Sequence, residues 1–421
     1  MHMPKLSRLW SAAVVGIAVF AVSCGDSPFE PGESNDRVDI TNDEQTLDAR
    51  VQVLDVELPI DPPSPSAMRS AAYSPAAPQA LRLWLLARVD PPEVDGQVVQ
   101  ATSVSLKNSK VMVSYNMRGE PRLGAIDWIT RLLPWPRIGT SATFADSDIS
   151  AISFDGTYVY AAEATGAEGF PYPAVLERLK LEGNNFTLED NLRVPLTSYV
   201  ATSTLVTDNE VYATSGNTGH VFAFDRNSLS LLGQYELDDA RWVAWDEAGQ
   251  RVVVAQGTPG RIAVFAEGDF PGGSMNLINT FPFPGANVPE SKSTVEIAGG
   301  KAFIAAGPEG VQIVCLDDGQ VIGSVPRPDP AELGLDPSVV VTNAVTVDED
   351  VMFISNGEAG VYVARGAEDF ASSACNTQQI NVLGKLQFDD LQSANHIEYR
   401  NRWLVVAAGL GGVKLVYATG L

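Results

Sequence analysis

The chain has 421 residues, of which 45% are apolar and only 19% charged, so it can build a large packed core and is not a disordered polymer. Its 52 acids against 28 bases leave a net charge of −24, a surface that repels phosphate backbones and argues against nucleic acid as a partner. With 3 histidines it is poorly equipped for metal-driven or acid–base catalysis, whereas 36 glycines and 27 prolines announce many turns.

Chain order begins with an export signal. Lys5 and Arg8 form a basic start, and Leu9 to Val22 is an apolar run too short to span a bilayer. The run ends in Ala21-Val22-Ser23-Cys24, followed by Gly25-Asp26, which resembles the lipobox of bacterial lipoproteins, although Ala21 stands where that motif most often has Leu. The resemblance implies removal of residues 1–23, lipid on Cys24 and attachment to the membrane through that lipid alone. By the same resemblance, Gly25 rather than Asp after the lipidated cysteine does not signal inner-membrane retention, and in a host with an outer membrane that membrane is the expected destination. Residues 24–80 read as a tether: the stretch to about residue 45 is acidic and polar, and Pro59 to Pro78 is rich in Pro, Ala and Ser. A short strand-like piece, Val51 to Leu58, lies between them.

From residue 81 to 421 the chain repeats one unit seven times. Short β-runs begin at Val111, Tyr158, Glu210, Arg251, Lys301, Val351 and Trp403, 41 to 52 residues apart. A Gly-x-x-Gly turn follows in five units (Gly216/Gly219, Gly257/Gly260, Gly307/Gly310, Gly357/Gly360, Gly409/Gly412), with Asn116/Gly119 and Glu163/Gly166 in the first two. These glycines are expected to supply left-handed backbone at a tight turn. Each run is preceded by another strand behind a polar hairpin turn and followed by a third; six units continue into a fourth. Four antiparallel strands at this spacing predict a blade, and seven units predict an all-β, seven-bladed propeller. The last unit ends after its third strand, so the β-run at 81–89 is expected to supply its fourth by pairing with residues 413–418.

The segments GGKAFIAAGPEGVQIV, DVMFISNGEAGVYVA and NRWLVVAAGLGGVKLV resemble the LVIVD-type repeat of bacterial and archaeal surface propellers. HVFAFDRNSLSLLGQYEL and IVCLDDGQVIGSV echo quinoprotein-like and YVTN-type strands. The resemblance implies the fold and an envelope location; it implies no reaction.

No catalytic or phosphate-binding motif is present, and no cofactor is expected. His220 and His396 lie far apart, a poor basis for zinc. The acidic clusters Asp146/Asp148, Asp238/Asp239, Asp348/Glu349/Asp350 and Asp389/Asp390 lack the spacing of a calcium loop and fall where turns are needed, so no metal site is assigned. Cys315 and Cys375 could form a disulfide in an oxidising compartment, with two buried thiols as the alternative. The candidate ligand-binding residues are those entering each inner strand at the channel mouth: Asp148, Tyr199, Arg241, Lys292, Asn343, Asn395 and His396. Long loops, Ala164 to Pro173 and Gly268 to Pro289, add rim surface. The expected role is binding of an envelope protein or a glycan. The alternatives are hydrolase or lyase chemistry using Asp148, Arg241 and His396, and an outer-membrane assembly factor.

Overall fold

In the second strand of each repeat both faces are apolar, and the reason is visible in a computed structural model, which describes residues 35–62, 81–285, 288, 291–372, 374–389 and 391–420. Lys301–Ala305, Val351–Ser355 and Trp403–Ala407 are buried along their whole length. Each is flanked by strands within its sheet and covered by neighbouring sheets on both faces, so alternation gives way to continuous apolar sequence. Seven sheets form the blades, with four chain-ordered antiparallel strands in blades two to five, and Glu93–Val94 pairs with Gln97–Val98 as a separate two-stranded sheet. Seven apolar clusters fill the gaps between successive blades. Val405, Ala407, Val413 and Leu415 of blade seven, for example, pack with Val104, Val111, Val113 and Tyr115 of blade one. The protein is a seven-bladed β-propeller, and among the described residues no helix is long and apolar enough to cross a membrane.

Arg82–Val89 lies beside the third strand of the last blade, in a register running from Val413↔Val89 to Thr419↔Arg82. The blade is thus assembled from segments far apart in the chain, and Leu83, Leu85, Ala87 and Val89 are buried there.

The tether expected over residues 24–80 needs correction between 35 and 62; residues 24–34 and 63–80 lie outside the described residues. Val38–Thr41 adds a fifth strand to blade one, Val51–Leu58 a fifth to blade seven, and Ile60–Asp61 pairs with the outer strand of blade six. Averaged composition hid four residues with somewhere to go: Val38, Ile40, Leu47 and Leu58 are buried against the ring. An outer blade edge presents unpaired backbone groups that any short β-run of fitting register can complete. Arg50 fixes the arm. Its guanidinium donates to both oxygens of the fully buried Asp127 at 3.1 and 2.5 Å and to the Asp90 carbonyl at 3.0 Å, while the Tyr115 hydroxyl donates to the same carboxylate.

The Gly-x-x-Gly turns divide into two kinds. In blades five to seven both glycines have positive φ (+57/+72, +59/+88 and +61/+70), as expected. In blades three and four none does, and there the expectation fails. A Cβ on Gly257 would lie 1.9 Å from Nε of Arg241, so that glycine clears a side chain instead of bending the backbone. Cys315 and Cys375 are joined as a disulfide between the third strand of blade five and the long loop of blade six, which removes the alternative of two free thiols.

Candidate functional site at the channel mouth

The inner strands of blades one to four share an irregularity near their entry. Pairing with the second strand slips by one residue between Ala101 and Ser103, Ile149 and Ala151, Ala201 and Ser203, and Ala240 and Trp242. The extra residues are Thr102, Ser150, Thr202 and Arg241. A bulge of this kind re-aims one residue and its carbonyl out of the ladder. Here the re-aimed groups bridge blades. The Thr102 hydroxyl donates to the Ile149 carbonyl at 3.0 Å, and the Thr202 hydroxyl donates to that of Ala240 at 2.7 Å.

Lys292, at the entry to blade five, reaches across the mouth to the opposite side of this ring. Its ammonium donates to the Thr102 carbonyl at 2.6 Å and the Ser150 carbonyl at 3.3 Å, in blades one and two. Burial lowers its pKa to about 7. Beside it, Arg241 donates twice to Asp239, at 3.0 and 2.8 Å, and to the carbonyls of Val288 and Ser291. Together Asn116, Ser150, Tyr199, Thr202, Asp239, Arg241 and Lys292 line most of a cavity of about 200 Å³. Tyr199 stands 59% exposed at its edge, whereas Arg241 is 7% exposed.

One residue deeper, the Trp242 ring packs on His396 across the axis, with centroids 4.9 Å apart. The Val104 amide donates to Nδ1 of His396, which leaves the ring proton on Nε2. Burial, and then the charge of Lys292, lowers the His396 pKa to about 3, so the imidazole is neutral. His396, Glu398 and Arg400 alternate along one strand and follow the channel inward. Burial raises the Glu398 pKa to about 8, against the amide of Leu106 that donates to it; Arg400 pairs with Glu296.

Of the seven candidate residues, the structure brings together Tyr199, Arg241 and Lys292. Asp148 accepts from the Met117 amide at 3.1 Å, and burial raises its pKa to about 6. Asn395 donates to the Ala101 carbonyl at 2.9 Å and joins blade seven to blade one. Neither lines the cavity, nor do Asn343 and His396. The proposed catalytic set of Asp148, Arg241 and His396 does not converge, because each spends its hydrogen bonds on other partners. Three of the acidic clusters serve turns and arginines: Asp146 pairs with Arg37 and Arg193, Asp238 accepts from the Thr218 amide, Asp348 from that of Asn401, and Asp350 pairs with Arg365, whereas Asp390 lies outside the described residues.

Sequence reasoning missed Thr102, Ser150 and Thr202, although the signal was there. Counted back from the second-strand starts, Thr102, Ser150, Thr202, Arg241, Lys292, Asn343 and Asn395 all fall 8 to 10 positions ahead. Choosing by residue type put the candidates of blades two and three at Asp148 and Tyr199, short of the bulge.

Comparison with solved structures agrees on architecture. The chain is similar to the WD40 β-propeller domain of Doa1, with 11% identity, a TM-score of 0.51, and coverage of 78% of this chain and 95% of that one. It is equally similar to a chain of the mitotic checkpoint complex: 9% identity, TM-score 0.51, 78% and 98% coverage. At such identities the likeness is one of fold. No family model and no curated protein matches the sequence.

Proposed function

We propose that this protein is an exported, lipid-anchored envelope module whose propeller captures a partner protein on the face carrying the channel mouth. The observation that carries the reading is the recess itself: a polar cavity on a rigid closed ring, with an exposed tyrosine at its rim and a buried arginine behind it. Aromatic side chains backed by fixed polar groups are the usual anchors of recognition surfaces. One of the similar propellers comes from a multiprotein complex, which fits this use of the fold. The Cys315–Cys375 disulfide suits an oxidising compartment, and the Cys24 motif supplies the anchor. Kinship with LVIVD-repeat surface propellers belongs to the same reading and rests on blades five to seven.

Two measurements test it. Cys24→Ser should move the protein from the membrane to the soluble fraction, and unchanged fractionation would remove the anchor. An immobilised propeller should retain an envelope protein that Tyr199→Ala fails to retain. Retention of glycan alone, or equal capture by both forms, would reject a protein partner at this mouth.

A further inference from the structure

Lys292 lies in a cavity without an acid to balance it. Its hydrogen bonds go to two backbone carbonyls, and among the described residues no carboxylate pairs with it. Buried lysines are ordinarily paired, so this arrangement disfavours the ammonium form. A neutral amine has two N–H groups and one lone pair. The carbonyls of Thr102 and Ser150 match the two N–H groups, which leaves the lone pair as the group not spent on protein, on a side chain that lines the open cavity. That is the arrangement of an amine nucleophile activated by desolvation.

We propose that Lys292 is a covalent binding site for a small hydroxylated aldehyde or ketone, which it holds as a reversible imine. The nitrogen lone pair adds to the carbonyl carbon, both amine protons pass to the carbonyl oxygen, and that oxygen departs as water, leaving C=N. No oxidant or reductant takes part. If the imine takes a proton from solvent, its N–H⁺ can donate to the Thr102 carbonyl as the ammonium does. Asn116, Thr202, Tyr199 and Asp239 supply donors and acceptors for hydroxyl groups, and about 200 Å³ restricts the ligand to a few heavy atoms. Among the described residues, the charged and titratable groups facing the amine are the Arg241–Asp239 ion pair, the Tyr199 phenol and the neutral His396.

The test is reductive trapping on the intact exported chain, with glycolaldehyde and cyanoborohydride at pH 7 and site-resolved mass spectrometry. An amine near pKa 7 holds about a thousandfold more free base at that pH than an ordinary lysine. Even after allowance for its weaker intrinsic reactivity, Lys292 should be modified at least about tenfold faster than exposed Lys107. The advantage should shrink as the pH rises from 7 toward about 10, because Lys292 is already free base while ordinary lysines are still gaining theirs. Lys292→Arg, which keeps the hydrogen-bond donors, should lose only the fast site. Modification of Lys292 no faster than Lys107 would overturn the proposal, and that reading needs no variant to fold. Propanal trapped as quickly as glycolaldehyde would overturn the hydroxylated class. Capture of a partner protein is a separate readout, and neither result decides the other.

Discussion

Arg50→Ala is the sharpest probe of whether the chain before residue 62 belongs to the fold. Arg50 enters from the added arm, and Asp127 beneath it is wholly buried, with the Tyr115 hydroxyl as its second side-chain partner among the described residues. Removing the guanidinium leaves a buried carboxylate without its counter-charge, a loss of about 3–5 kcal/mol. Part of the arm's docked surface, including Leu47 and Val51 against blades seven and one, would loosen with it. Urea unfolding of the wild type, Arg50→Ala, Asp127→Asn and the double variant forms a thermodynamic cycle. The single variants should each lose more than 2 kcal/mol, with the double variant well short of their sum, a coupling of about 0.5–3 kcal/mol. Losses below about 0.5 kcal/mol with additive behaviour would mean that residues 35–62 are a tether after all.

Reduction should also act through the chain's connectivity. The disulfide closes a loop of 60 residues, so Cys315→Ser with Cys375→Ser should cost about 4 kcal/mol on chain-entropy grounds and lower the melting temperature. A melting curve indifferent to dithiothreitol would contradict this. Stability should also depend on the acid buried in the channel. Glu398 is protonated in the folded state to about pH 8 but ionises near pH 4.5 when unfolded, so its contribution is complete below pH 4.5 and is lost as the pH rises toward 8. Glu398→Gln should flatten the decline of stability between pH 5 and 8, and an unchanged slope would assign that decline elsewhere. Gly257→Ala should lose about 1–3 kcal/mol, because its methyl group displaces Arg241 without any change of backbone; a neutral substitution would show that Arg241 has room to move.

Regular repetition explains what could be read without coordinates. Runs such as Lys301-Ala302-Phe303-Ile304-Ala305 carry their burial on both faces, and the glycine pairs of blades five to seven carry their turn, because both properties are local. Register between distant segments is not local. Whether Val38–Thr41 pairs with anything depends on the free edge of residues 137–144, which only the assembled ring creates. The bulges that define the mouth are likewise a property of two strands together, so Thr102 and Ser150 looked like ordinary strand residues although their carbonyls hold Lys292. Glu398 and Arg400 were within reach: alternation from His396 places all three on one face, and only the histidine was singled out by type.

Photo-crosslinking in native membranes tests the proposed role most directly, with a benzophenone side chain installed at Tyr199 on the mouth or at Asn108 in a hairpin turn at the other end of the inner strand of blade one. The mouth reading predicts a discrete protein adduct from position 199 and none from position 108. An adduct from 108 alone, or the same adducts from both, would place recognition elsewhere on the ring.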